Sequence, residues 1–257
     1  MTYNVRYANA NPGEAWTNRL PIMRELIQKI SPDIFGTQEG LYLQVKDLAA
    51  ALPDYDWIGE GREGGSHGEF MAVFFRKARL EPVEFRHFWL SDTPEVIGSR
   101  TWEAKLPRMV TQVKYRDRRT TREFFLFNTH FDHQAQSARE KSAALVRSRI
   151  GDLKTTLPVL LIGDFNSAAE KNKAYDILTE GNFLTDLWKT APQRINEGIG
   201  TFNGFKGARP NGQRIDWILA RGDVAVEKAE LVTFARDGQF PSDHFPVVTW
   251  LKIGAKP

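Results

Sequence analysis

Five short strings in this chain place an Asp, Glu, His or Asn at the end of an apolar segment typical of a β-strand, and they constrain the fold more than any other feature. They are Thr2-Tyr3-Asn4, Thr37-Gln38-Glu39, Asn128-Thr129-His130-Phe131-Asp132-His133, Gly163-Asp164-Phe165-Asn166 and Ser242-Asp243-His244. Side chains at strand ends on one rim of a sheet can converge on a common ligand. The strings therefore predict a sheet with a polar site at its rim, to which Arg214-Ile215-Asp216 adds another carboxylate.

Apolar periodicity predicts the elements between these strings. Short segments rich in Val, Phe, Ile and Leu predict strands at residues 70–76, 110–115, 123–128, 158–162, 215–220, 224–234 and 245–252. Apolar residues at helical spacing predict helices at residues 16–30, 42–52 and 137–150. Strands outnumber helices and no shift in composition marks a boundary, so we predict one α/β domain over residues 1–257.

Composition limits the classes of function. The longest uncharged apolar stretch, residues 157–163, is too short to span a bilayer, so we expect no stable membrane insertion. The 35 basic and 32 acidic side chains leave a net charge of +3, from which no polyanionic partner can be inferred. The chain has no cysteine, which excludes disulfides, thiolate metal sites and cysteine nucleophiles.

Four carboxylates, Glu39, Asp164, Asp216 and Asp243, follow or interrupt apolar segments. Burying them without compensation would be costly, and a hard cation would compensate them. Oxygen ligands without cysteine favour Mg²⁺ or Mn²⁺, with Ca²⁺ as an alternative. Because charge builds on the oxygens of a phosphate ester as it is cleaved, a metal beside an imidazole suits phosphoryl chemistry.

Each string alone also has a simpler explanation. An Asp in Gly-Asp-Phe-Asn is commonly a turn residue, and Ser-Asp-His is commonly a loop or helix cap. His130 alone would be a hydrogen-bonded rim residue, and Glu39 alone would be the start of a helix. Only their joint occurrence, in this order, favours a site.

In that joint order the sequence resembles the endonuclease/exonuclease/phosphatase superfamily, from Asn4 to His244. The specific combination is Gly-Asp-x-Asn at residues 163–166, Arg-Ile-Asp at 214–216 and Ser-Asp-His-x-Pro at 242–246. The resemblance implies a four-layer α/β/β/α sandwich with two face-to-face mixed β-sheets, helices outside and an active site at one rim. It also implies a divalent-metal-dependent hydrolase of phosphate esters.

The resemblance assigns roles to the motif residues. Glu39 is the expected principal metal ligand, helped by Asn4 and by Asp243 at a second metal position. The expected catalytic residues are His244, Asp216, Asp164, His130 and Asn166: His244 is oriented by Asp216, Asp164 and Asn166 hold water and phosphate, and His130 binds the phosphate or stabilises the leaving oxygen. The general base is left open between the His244/Asp216 dyad, which we favour, and Asp164.

A second set of residues is expected around the phosphate. Glu69 matches the place of a Glu that partners the equivalent of His130 in deoxyribonucleases, and Arg108 matches a phosphate-contacting Arg. Further residues in loops are expected to shape the pocket, and could stack bases or floor a sugar site: Trp16, Arg19, Arg62, His67, Arg100 and Trp102.

The substrate is not decided by these motifs. The lysine that abasic-site endonucleases carry after Gln-Glu is absent here, as are the apolar hairpin of sphingomyelinases and the disulfides of pancreatic-type deoxyribonucleases. We expect a phosphodiesterase or nuclease-like enzyme, with nucleic acid as one candidate partner. The alternatives are a phosphomonoesterase acting on a small sugar or inositol phosphate, and a non-catalytic phosphate-binding module.

Thr-Gln-Glu-Gly and Asn-Thr-His-x-Asp-His place the chain closest to a bacterial, often exported branch of the superfamily. Residues 1–3 already resemble the middle of a buried strand, so we expect either a reading frame that begins unusually late or, as we favour, the removal of an export signal. We therefore expect a periplasmic or secreted monomer, with the cytoplasm as the alternative location.

Overall fold

The computed structural model describes residues 1–254. Its strands are β1 (Thr2–Asn4), β2 (Ile34–Gln38), β3 (Gly40–Leu41), β4 (Tyr55–Ile58), β5 (Glu69–Phe70), β6 (Val73–Arg76), β7 (Leu80–Trp89), β8 (Met109–Asp117), β9 (Glu123–His130), β10 (Val159–Asp164), β11 (Thr185–Asp186), β12 (Arg194–Ile195), β13 (Asp216–Arg221), β14 (Val224–Leu231) and β15 (Val247–Ile253). Its α-helices are α1 (Trp16–Ile30), α2 (Tyr42–Ala51), α3 (Gln136–Asp152), α4 (Lys173–Thr179) and α5 (Leu187–Thr190), with 3₁₀ turns at Pro12–Glu14 and Glu180–Asn182. None of these helices is long and apolar enough to cross a bilayer.

Two large mixed sheets form the centre of the molecule. The first has the strand order β12-β14-β15-β1-β2-β6-β4, and the second has the order β11-β13-β10-β9-β8-β7. Strands β3 and β5 form a separate two-stranded sheet. The predicted four-layer sandwich is confirmed.

Alternating side chains of the strands build three apolar layers. Along β9, Leu126 packs between the two sheets, whereas Phe125 and Phe127 on the other face pack against α3 and α4. A third apolar cluster joins the outer face of the first sheet to α1 and α2, with Met23 and Phe74 in its centre. Both faces of the central strands are therefore buried, which explains why their sequences are almost continuously apolar.

The strand register sets up the polar rim. In the second sheet, Asp164 at the end of β10 pairs with His130 of β9 on one side and with Asp216 of β13 on the other. In the first sheet, Asn4 of β1 pairs with Gln38 of β2, and Glu39 follows directly. Register orders the residues within each sheet, and the packing of the two sheets then brings Asn4 and Asp164 together, although they are 160 positions apart in the sequence.

The structure differs from the predicted elements in several places, and α4, α5, β4, β11 and β12 are among the elements that the sequence did not predict. The strand predicted at residues 70–76 is divided, because Phe70 pairs with Gly40 in the small sheet while Val73 pairs with Gly36 in the large one. The strand predicted at residues 224–234 ends at residue 231, and the one predicted at 245–252 begins at residue 247. The ten-residue edge strand β7 was not predicted, because the middle of it is exposed and lacks an apolar run.

Candidate active site

Asn4 joins the two sheets at the rim. Its fully buried side-chain amide donates to Glu39 Oε1 and to Asp164 Oδ2, both at 2.9 Å. Its Oδ1 accepts from the main-chain N–H of Arg6 at 2.9 Å, which fixes the orientation of the amide. The Asn4 amide therefore donates hydrogen bonds to one carboxylate from each sheet.

Glu39 is held from several sides. It lies in the left-handed region with φ of 64°, a conformation that a residue other than glycine adopts only where its surroundings impose it. Its Oε2 accepts from the main-chain N–H of Tyr7 at 3.3 Å, and the Arg6 guanidinium lies 3.5 Å away. The carboxylate is thus directed toward Asp164 rather than toward solvent.

Asp216 and His244 form a buried dyad. His244 Nδ1 donates to Asp216 Oδ2 at 3.0 Å, and His244 Nε2 lies 3.8 Å from Asp164 Oδ2. Burial alone would lower the pKa of His244, but the carboxylates of Asp216 and Asp164 outweigh it and raise the pKa to about 10. The fold brings the two residues into hydrogen-bonding distance although they are 28 positions apart in the sequence.

Asp164 sits at the centre of the rim. Burial, followed by the repulsion of Asp216, raises the pKa of Asp164 to about 7, although His244 opposes that rise. Its Oδ1 accepts from the main-chain N–H of Asn166 at 2.9 Å. A carboxyl group poised in this way can take up or release a proton near neutral pH.

The pKa of His130 is shifted in the opposite direction from that of His244. The Asn166 amide donates to the Phe131 carbonyl at 3.1 Å and to His130 Nε2 at 2.9 Å, so Nε2 is an acceptor and the proton is on Nδ1. Burial and the neighbouring guanidinium of Arg108 hold the pKa of His130 well below its usual range. His130 is therefore a neutral imidazole.

The carboxylates of the rim fit a divalent cation. Within residues 1–254, candidate ligand atoms lie within 4.8 Å of one another in two groups, Glu39-His130-Asp164 and Asp164-Asp216-His244. The carboxylate oxygens of these groups match Mg²⁺ or Mn²⁺, and a cation would offset the cost of burying several carboxylates together. Asp243 belongs to neither group; its Oδ2 lies 3.6 Å from the Arg6 guanidinium.

Two buried guanidiniums lie beside His130. Arg62 donates to Glu69 Oε2 at 2.7 Å, and Arg108 reaches His133 Nδ1 at 3.0 Å. Because Arg62 takes the Glu69 carboxylate, that group remains 3.9 Å from His130 Nδ1, and the expected Glu69–His130 pair is not a hydrogen bond here. A set of buried donors has no hydrogen-bond partner: Arg62 Nε, Arg108 Nε and Nη1, and His130 Nδ1.

Several residues expected in the pocket lie elsewhere or have other partners. Arg100 is exposed and donates to the Lys105 carbonyl, and the Trp102 indole donates to Asp92. Neither has a hydrogen bond or ion pair to the rim cluster among the interactions of the described residues, so their substrate roles stay predictions. Trp16 is buried and donates to Asp47, which makes it part of the support beneath the site.

The sequence analysis missed Arg6 and gave no role to His133. Arg6 contacts both Glu39 and Asp243, and His133 contacts Arg108. Arg6 lies two positions from Asn4, and His133 ends the string that contains His130, so closeness to a motif residue was the available signal. No apolar periodicity distinguishes them, because both lie in loops.

Comparison with known proteins identifies the family of the chain. The Endonuclease/Exonuclease/phosphatase family model matches residues 1–244. The chain is similar to the mannosyl-6-phosphatase Bt3783 of Bacteroides thetaiotaomicron, with 37% identity, 98% of each chain covered and a TM-score of 0.92. It is also similar to an endonuclease/exonuclease/phosphatase family protein of the same organism, with 37% identity, coverage of 97% of this chain and 92% of that one, and a TM-score of 0.92.

More distant likeness concerns the fold alone. The D. rerio protein TDP2, solved with a single-strand DNA product, has 15% identity, coverage of 98% of this chain and 97% of that chain, and a TM-score of 0.77.

The chain belongs to the endonuclease/exonuclease/phosphatase family. It is a divalent-metal-dependent phosphoesterase, as the sequence predicted.

Proposed function

We propose that this protein is a phosphomonoesterase that removes the phosphate from a phosphorylated sugar, with a mannosyl 6-phosphate group as the first candidate. This is one of the alternatives left open by the sequence, and it replaces the phosphodiesterase that the motifs alone favoured. The observation that carries it is the pair of buried guanidiniums, Arg62 and Arg108, whose unpartnered donors lie next to His130. The similarity to a mannosyl-6-phosphatase over 98% of both chains supports it.

Charge distinguishes the two substrate classes. A phosphate monoester carries close to two negative charges at neutral pH and has three terminal oxygens, whereas a diester carries one charge and two such oxygens. Arg108 is 4% exposed and Arg62 is 6% exposed, so their charges have lost most of their hydration. Arg62 is ion-paired with Glu69, and Arg108 lies 3.9 Å from Asp132 Oδ2, yet Arg62 Nε and Arg108 Nε and Nη1 have no hydrogen-bond partner among the described residues. Buried donors of this kind are costly unless a ligand uses them, and a dianion uses them best.

The residues of the rim have separate roles in hydrolysis. Glu39 and Asn4 would hold a divalent cation, preferentially Mg²⁺ or Mn²⁺, which when bound supplies positive charge against the developing charge of the phosphate oxygens. The neutral His130 donates from Nδ1 toward the phosphate. Arg62 and Arg108 bind and orient the terminal oxygens.

Proton transfer is divided between Asp164 and His244. The raised pKa of His244 favours an imidazolium at neutral pH, which donates from Nε2 to a phosphoryl oxygen. Asp164, whose pKa is raised to about 7, takes the proton of the attacking water as the water oxygen bonds to phosphorus. The bond between phosphorus and the sugar oxygen breaks, and the sugar leaves as the alcohol after its oxygen takes a proton from solvent. This assigns the base role to Asp164, the second of the two alternatives, and keeps Asp216 as the group that orients and charges His244.

A substrate comparison tests the proposal. We expect the protein with Mg²⁺ or Mn²⁺ to have a higher kcat/KM for mannose 6-phosphate and p-nitrophenyl phosphate than for bis(p-nitrophenyl) phosphate. Arg108→Met should lower kcat/KM for the monoesters by about 10- to 100-fold, because it removes charge-assisted hydrogen bonds, and should affect the diester less.

The matched control lies on the strand that Arg108 precedes. Arg116, near the far end of β8, pairs with Glu123 on the surface, so Arg116→Met should leave both activities unchanged. A preference of the unmodified protein for the diester, or an equal loss on both substrate classes in Arg108→Met, would reject the monoesterase assignment.

A further inference from the structure

Arg19 of α1 is buried, at 2% exposure, and every one of its guanidinium N–H groups has a main-chain acceptor. Five N–H groups meet five carbonyl oxygens, those of Glu14 (2.8 Å), Val5 (2.7 Å), Pro241 (3.0 Å), Arg6 (2.9 Å) and Tyr7 (3.4 Å). No carboxylate accepts from it among the described residues. A saturated guanidinium has no donor left for a substrate, so Arg19 does not line the pocket as the sequence suggested.

Three of these acceptors belong to the loop that follows Asn4, one of the two proposed metal ligands. Val5, Arg6 and Tyr7 follow Asn4 directly, and while their carbonyls face Arg19, two of their N–H groups face the site. The Arg6 N–H donates to Asn4 Oδ1, and the Tyr7 N–H donates to Glu39 Oε2. Arg6 itself is left-handed, with φ of 55°, which a non-glycine residue holds only when its surroundings impose it.

The Pro241 carbonyl links the same guanidinium to the other half of the site. Pro241 precedes Ser242, whose hydroxyl donates to the Asn4 carbonyl at 2.6 Å and accepts from the His244 N–H at 3.3 Å. One side chain therefore contacts both the loop after β1 and the segment that enters β15.

We propose that Arg19 is a positioning residue that fixes Asn4 and Glu39 relative to His244 and so pre-forms the divalent-cation site. The inference rests on the cation site of the proposed function. Lysine keeps the charge but has one nitrogen with three N–H groups, so it can satisfy at most three of the five carbonyls and leaves at least two of them without a donor. Arg19→Lys should then loosen the site while Asn4, Glu39 and His244 themselves are intact.

Calorimetric titration of the metal-free protein with Mn²⁺, together with kcat at saturating Mn²⁺ and the Tm, tests this role. We expect Arg19→Lys to bind Mn²⁺ at least about tenfold more weakly and to keep a reduced kcat at saturating Mn²⁺, because misplacement of the site is not corrected by occupancy. The matched control is Arg147→Lys. Arg147 also donates to main-chain carbonyls, those of Ile177 and Glu180, but away from the rim, so its replacement should lower only the Tm.

The outcomes separate the two proposals. If the unmodified protein binds no Mn²⁺, the cation site of the proposed function is wrong. If it binds Mn²⁺ and folded Arg19→Lys has the same affinity and kcat, Arg19 only stabilises the fold and the inference is wrong. If Arg19→Lys does not fold, Ser242→Ala provides the decision: it removes the link to the Asn4 carbonyl, and an unchanged Mn²⁺ affinity in that variant would overturn the inference.

Discussion

At the scale of single residues, neighbouring groups shift the pKa values of the two rim histidines in opposite directions, so that His244 is charged and His130 is neutral. His244 has Asp216 at 3.0 Å and Asp164 at 3.8 Å, whereas His130 faces guanidiniums and accepts a hydrogen bond at Nε2. Pairs of titratable groups whose pKa values are driven apart are typical of sites that move protons. The sequence identified both histidines but could not assign their charges, since these depend on distances that only the fold sets.

The charge of His244 leads to a pH prediction. In the metal-free protein, Asp216→Asn should lower the pKa of His244 by about 1–3 pH units, because it removes the first carboxylate that opposes the effect of burial. Because the folded pKa of His244 is above its unfolded value, the dyad stabilises the fold below about pH 6.5, and that contribution is lost as pH rises through about 10. NMR titration of the His244 ring protons measures the change, and an unaltered pKa would contradict it.

The dyad should act as one catalytic unit. Asp216→Asn and His244→Ala should each lower turnover on the order of a hundredfold or more, with little loss of metal binding, and the double variant should be barely worse than either. Steady-state kinetics of the three variants on one monoester measures this. Losses that multiply, or near-normal turnover in His244→Ala, would show that the pair does not work as a unit.

Glu39 should be required for the cation. Glu39→Gln keeps the size of the side chain but removes its charge, so Mg²⁺ and Mn²⁺ affinity should fall and most turnover should be lost. Calorimetry provides the measurement. Unchanged affinity would move the ligand role to other carboxylates of the rim.

At the scale of elements, a buried polar bridge joins the two sheets behind the site. Asn128 of β9 accepts from Gln38 at 2.7 Å and donates to the carbonyls of Thr37 and Ala72. Gly36 permits this approach, since a Cβ there would lie 2.5 Å from Asn128 Oδ1. The sequence predicted α1 with its bounds and the strand ends on one rim. It did not predict this bridge, because the bridge joins residues 90 positions apart that share no sequence motif.

Breaking the bridge should destabilise the fold. Asn128→Leu leaves the Gln38 amide and two buried carbonyls short of a partner, so we expect the free energy of unfolding to fall by about 2–4 kcal/mol. Urea unfolding measures the loss. Asn18→Leu, an exposed change on α1, is the control and should alter stability by less than about 0.5 kcal/mol; a comparable loss in the two variants would contradict the role of the bridge.

At the scale of the whole molecule, the two sheets each contribute half of the site. Asn4 and Glu39 come from the first sheet, and Asp164 and Asp216 come from the second. His244 lies in the segment that leads into β15. The order of short motifs was sufficient to predict the fold, the chemistry and these five residues. The arginines were harder, because Arg19, Arg62 and Arg108 are buried against carbonyls, carboxylates and a histidine, and in sequence nothing separates them from surface arginines.

Turnover of mannose 6-phosphate before and after removal of divalent cations tests this assignment of function most directly. We expect chelation to abolish phosphate release, and added Mg²⁺ or Mn²⁺ to restore it in the unmodified protein but not in Asp164→Asn, which keeps the fold and loses the carboxylate at the centre of the rim. Phosphate release that persists in the chelated protein, or that Asp164→Asn supports at a normal rate, would contradict a metal-dependent phosphoesterase built on this rim.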